Sequence, residues 1–168
     1  MNINKRTVIG MIIAIGVLGG ITWLAQPDAQ TNNTATALQG TGGRLDAEEQ
    51  SFDFGTISMA AGDVKHEFTI NNTEGSDVTI DKMYTSCMCT TATLNVGGKK
   101  FGPYGMPGHG FIPKISQTIG PNEKATIEVV FDPAAHGPAG VGRIQRVVTI
   151  ESDGGQPLEL QFAALVTP

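Results

Sequence analysis

The chain has 168 residues, 40% of them hydrophobic and 16% charged, with 22 glycines and 9 prolines. That supply of apolar side chains can fill a core and excludes a wholly disordered chain, while the glycine and proline content favours turns over helices. The formal net charge is −5, and all 16 acidic residues lie beyond residue 26, a balance that repels nucleic acid and excludes it as a partner.

Residues 1–25 read as a cytoplasmic flank followed by a membrane segment. Lys5 and Arg6 precede an uncharged run from Thr7 to Ala25. As a helix this run would be about 28 Å long, close to the hydrocarbon thickness of a bilayer. Asp28 follows it, and Trp23 falls at the interfacial position. Trp23 spoils the small-x-small pattern that cleavage before Gln26 would need, so an uncleaved anchor is favoured over a removed signal sequence. The domain is then expected outside the cytoplasm, periplasmic or at the cell surface, tethered by a single pass. Residues 26–50, rich in Thr, Asn, Gln, Ala and Gly, read as a flexible linker. Glu48 and Glu49 within it read as solvated charges.

Residues 51–168 show short period-two segments separated by turn signals. Phe52 and Phe54 mark an opening strand. Val64, His66, Phe68 and Ile70 alternate with polar residues, and Val78 and Ile80 resume the pattern. A further strand follows the cysteines. Ala125, Ile127, Val129 and Phe131 form another inward face, stopped by Asp132-Pro133. Ile144–Glu151 and Leu158–Val166 close the series around a turn at Asp153-Gly154-Gly155. About seven strands separated by turn signals, with no helix candidate after the anchor, predict an all-β, immunoglobulin-like sandwich. Asn95–Lys114 is dense in Gly and Pro and predicts a long irregular loop, of a length that is usually functional. The stretch from Lys82 to Asn122 holds no acidic residue and is locally basic.

Four segments occur in a recognisable order: Phe52-Asp53-Phe54-Gly55, His66-Glu67-Phe68-Thr69-Ile70-Asn71-Asn72, Ser86-Cys87-Met88-Cys89-Thr90 and Ile127-Glu128-Val129-Val130-Phe131-Asp132. Together they resemble the bacterial domain of unknown function 1573, an immunoglobulin-like family related to the Hydin and major-sperm-protein type of sandwich. The resemblance runs from Phe52 to Val166, and its most specific part is the Ser-Cys-x-Cys-Thr signature. It implies an exported or surface domain with no established enzymatic activity. Met88 stands where the family customarily has Gly, and Asn95–Lys114 is longer than the family pattern.

The only cysteines, Cys87 and Cys89, are two apart. On an extended strand their Cα atoms would lie about 6.5–7 Å apart, at the upper edge for a disulfide, so a bond between them needs the backbone to curl. Structural thiols or a local disulfide are the first reading. Soft-metal binding of copper or zinc by Cys87, Cys89 and His109 is an alternative, suited by the nearby thioethers of Met83, Met88 and Met106. A thiol-redox role is another, although the Cys-x-x-Cys spacing and helix N-terminus that favour it are missing. His66 reads as a core or boundary residue and His136 as a solvated turn residue. Nothing in the pattern supplies a catalytic residue. The working part is expected to be a surface that binds an unidentified protein partner. Phe101, Tyr104, Met106 and Phe111 supply its apolar part and Lys99, Lys100 and Lys114 its rim; the competing expectation folds that loop back as a cap on the sandwich.

Overall fold

A strand with period-two alternation is apolar on one side only, and a sheet built from such strands needs a second layer to cover that face. The computed structural model describes residues 45–153 and 155–168, and meets this need with two five-stranded sheets. The strands are β1 (Leu45–Ala47), β2 (Ser51–Ser58), β3 (Val64–Asn72), β4 (Val78–Thr85), β5 (Thr90–Val96), β6 (Lys99–Tyr104), β7 (Gln117–Ile119), β8 (Lys124–Phe131), β9 (Gly142–Ser152) and β10 (Leu158–Thr167). One sheet has the order β1-β3-β8-β5-β6 and the other β2-β10-β9-β4-β7. All neighbours are antiparallel except β2 and β10.

The alternating positions meet in the core. Phe68 and Ile70 of β3, Ile80 and Met83 of β4, Leu94 of β5, Ile127 and Val129 of β8, Ile150 of β9 and Leu160 and Phe162 of β10 are fully buried. Phe162 packs on Phe54 and Phe131, with ring centroids 5.5 and 5.4 Å apart. His66 is a boundary residue: it stacks on Phe52 at 3.6 Å between centroids and reaches Glu49 at 3.1 Å.

One buried polar residue ties two loops together. The amide nitrogen of Asn72 lies 2.8–3.0 Å from the carbonyls of Ser76, Ile119 and Gly120, and its oxygen accepts from the Glu74 N–H. These bonds satisfy backbone groups that would otherwise be orphaned at the end of the sandwich where β3 ends and β8 begins.

The sandwich expectation holds, but with ten strands rather than seven. The three that the pattern did not announce are β1, β6 and β7. Leu45–Ala47, assigned by sequence to the linker, pairs with β3, and Leu45 is buried. Glu48 and Glu49 are not simply solvated, since they meet Lys124 and His66. Asn95–Lys114 is not irregular throughout: Gly97-Gly98 turns the chain and Lys99–Tyr104 returns along β5. Gly102 makes this possible, because its φ is +117° and a Cβ there would sit 3.0 Å from the Ala92 carbonyl and from the Tyr104 ring. Two short 3-10 turns, Met59–Ala61 and Gly137–Gly140, complete the described elements. Among the described residues no helix is long and apolar enough to cross a membrane. The anchor assigned to residues 1–25, and the linker up to residue 44, lie outside the described residues.

Candidate functional site

The two cysteines sit where the chain passes from one sheet to the other. β4 belongs to the second sheet and β5 to the first, and Ser86–Cys89 is the link. Ser86 is still tied to β9, through its N–H to Val147 O at 2.9 Å and its hydroxyl accepting from Val147 N–H at 2.9 Å. On the other side Asp132 N–H, just past β8, donates to Cys89 O at 2.9 Å. Thr90 N–H closes the turn on Cys87 O at 3.1 Å. Underneath, the buried Thr85 hydroxyl lies 2.9 Å from Cys87 O and 3.0 Å from Thr90 O. The link is therefore a turn and not an extended strand. Its curl brings the Cα atoms of Cys87 and Cys89 to 5.2 Å, and the two residues are joined by a disulfide.

Polar groups from three elements converge on these sulfurs. His136 Nε2 lies 3.1 Å from Cys87 Sγ. The Cys89 backbone N–H donates to Cys87 Sγ at 3.2 Å. The Arg146 Nε–H donates to Cys89 Sγ at 3.4 Å, and the Thr90 hydroxyl lies 3.6 Å from the same sulfur. His136 is placed by the turn after β8, where Asp132 Oδ1 accepts from Ala134 N–H at 2.8 Å and Ala134 O from Gly137 N–H at 2.8 Å. Arg146 comes from β9. Both cysteines are buried and His136 is exposed, so the group is open to solvent on the histidine side.

The histidine that joins the sulfurs is His136, not His109. Cys87, Cys89 and His136 have their ligand atoms within 4.8 Å of one another. His109 stands exposed in the β6–β7 connection, its N–H on Met106 O at 3.3 Å. Sequence spacing concealed the pairing, because His136 is 49 residues from Cys87. The available signal was the strand pattern: β5 begins right after the cysteines, β8 ends at the Asp132-Pro133 stop, and antiparallel pairing of Thr90 with Phe131 brings the two ends together.

The expected contact surface divides. Tyr104 is buried on β6, where burial pushes its phenol pKa upward. Phe101 packs against the core and Met106 is half-buried. Phe111 alone of the four is exposed, at 89%. Lys99, Lys100 and Lys114 are exposed, with Lys114 3.2 Å from Asp81.

A protein of unknown function from Porphyromonas gingivalis W83 superposes with a TM-score of 0.52 at 13% identity, covering 73% of this chain and 46% of that one. The chain thus spans less than half the length of that protein. The ASH/PapD-like domain 7 of human CEP192 aligns at a TM-score of 0.44 and 15% identity, covering 74% of this chain and 85% of that one. The YadV chaperone aligns at 0.47 and 7%, covering 74% and 53%. No curated protein matches the sequence. The first of these likenesses shows the sandwich fold. Residues 45–99 match the family model described as "Protein of unknown function (DUF1573)", the family whose signature the cysteine turn resembles.

Proposed function

We propose that this chain is a membrane-tethered, extracytoplasmic binding module that grips a partner protein through the connection between β6 and β7, with Phe111 as the apolar anchor. The observation that carries this reading is the exposure of Phe111, 89%, at the middle of a stretch that forms no helix or strand between Tyr104 and Gln117. An aromatic ring left in water contributes nothing to the fold, and aromatic side chains are common anchors of protein interfaces. Lys99 and Lys100 on the strand leading into the loop, and the lack of acidic residues from Lys82 to Asn122, favour a partner segment that combines an apolar side chain with acidic neighbours.

The test compares Phe111→Ser with the unaltered full chain. The variant should keep its thermal midpoint and lose the partner recovered with the unaltered protein. Charge reversal at Lys99 and Lys100 should slow association and weaken its salt dependence. Unchanged partner recovery by Phe111→Ser would refute the reading.

A further inference from the structure

We infer that Cys87, Cys89 and His136, once the disulfide is reduced, form a three-donor site for a soft monovalent ion of the copper(I) class. This goes beyond the partner-binding surface and does not depend on it.

A disulfide sulfur is a weak acceptor. Yet a backbone N–H and a guanidinium N–H point at these two sulfurs, with the Thr90 hydroxyl and the His136 imidazole beside them. That surrounding suits sulfur bearing negative charge far better than a disulfide. The bond itself is also a poor staple. It joins residues only two apart, so it takes far less loop-closure entropy from the unfolded chain than a bond across a long loop would.

Donor count and charge then choose the ion. Two thiolates and one imidazole make a three-coordinate sulfur-rich set, which fits copper(I), whereas zinc would need a fourth donor to complete its tetrahedron. With two thiolates a monovalent ion leaves the site at net −1, which the Arg146 guanidinium offsets. A divalent ion would leave it neutral beside that cation. The turn holds the two cysteine Cα atoms 5.2 Å apart and His136 stands on the solvent side, so the ion has a way in.

The chemistry balances in two steps. A dithiol reductant gives two electrons and two protons to the Cys87–Cys89 bond, leaving two thiols and becoming a disulfide itself. Copper(I) then displaces both thiol protons to solvent and bonds to the two sulfurs and to His136 Nε2.

The test uses the full chain, reduced and held without oxygen, titrated with copper(I) against a colorimetric copper(I) chelator. The reduced protein should take up one equivalent and the oxidised protein none. X-ray absorption should report two sulfur neighbours and one nitrogen. His136→Asn and Arg146→Gln should each weaken binding at least about tenfold, as loss of a ligand or of its supporting group does in other metal sites. His109→Asn should leave affinity unchanged. His136 is exposed, so its variant should keep its circular dichroism and thermal midpoint. Cys87→Ser with Cys89→Ser should abolish uptake. Uptake by that double variant equal to the unaltered chain, equal affinity in His136→Asn, or preference for zinc(II) over copper(I) would each overturn the assignment.

Discussion

Two connections of this sandwich are built in opposite ways. The link from β4 to β5 is four residues long and is tied on both sides and from beneath: Ser86 to β9, Cys89 O to the turn after β8, and Cys87 O to the Thr85 hydroxyl at the end of β4. The connection from β6 to β7 is twelve residues long and is held near its two ends, by Thr85 N–H on Gly105 O at 3.1 Å and by Ile115 N–H on Asp81 O at 2.8 Å. Between those ties Phe111 stands in water. The short link is held by hydrogen bonds to several elements, as the proposed ion site requires. The long one exposes an aromatic ring between its two ties, as the proposed protein contact requires. The two connections can be broken separately.

The largest expected effect separates Tyr104 from Phe111. Tyr104→Ala empties a buried position at the edge of the core and should cost about 3 kcal/mol in denaturant unfolding. Phe111→Ser should stay within about 0.5 kcal/mol. Equal costs would mean that Phe111 belongs to the core and the contrast between the two connections fails.

Next comes Thr85→Val. It keeps the shape but removes the hydroxyl under the cysteine turn, whose one proton serves either Cys87 O or Thr90 O, while Cys87 O keeps the Thr90 N–H. A loss of about 1 kcal/mol is expected from equilibrium unfolding. No change would show that the turn is held by its backbone bonds alone.

Reduction of Cys87–Cys89 should also be mild, because so short a loop gives little entropy back to the unfolded chain. Unfolding curves with and without a dithiol reductant measure it. Collapse of the fold on reduction would make the bond a structural staple and remove the case for a second surface.

The smallest effect lies at alkaline pH. Burial, and then the Glu151 carboxylate that accepts from its hydroxyl at 3.1 Å, raise the pKa of Tyr84 above 10, and burial alone raises that of Tyr104. The unfolded chain loses these protons first. Stability from both phenols is therefore complete below pH 10 and is lost as pH rises through their folded values. Tyr84→Phe should flatten part of that alkaline decline, read as thermal midpoint against pH.

Much of this architecture was legible in the residues themselves. β3, β8 and β10 each show unbroken alternation; every inward position named in β8 is buried, as are Leu158, Leu160, Phe162 and Ala164 of β10. β1 and β7 are three residues long, too short for a period to show. β6 was hidden by Gly102-Pro103, residues that argue against a strand unless the neighbouring backbone comes as close as Ala92 O does. At the site, the cysteines could be read directly, but nothing in the pattern told the exposed Phe111 from Phe101, Tyr104 and Met106. His136 and Arg146 could not, since they reach the sulfurs only through the pairing of β5 with β8 and the packing of β9, both long-range consequences of the fold.

The most direct test of the binding account is a photo-crosslinking residue placed at position 111 of the full chain in living cells, compared with the same residue at Leu165, which is also exposed but lies on strand β10. One discrete crosslinked species is expected from position 111, lost on charge reversal at Lys99 and Lys100, and none from position 165. The same species from both positions, or none from position 111, would contradict a contact through Phe111.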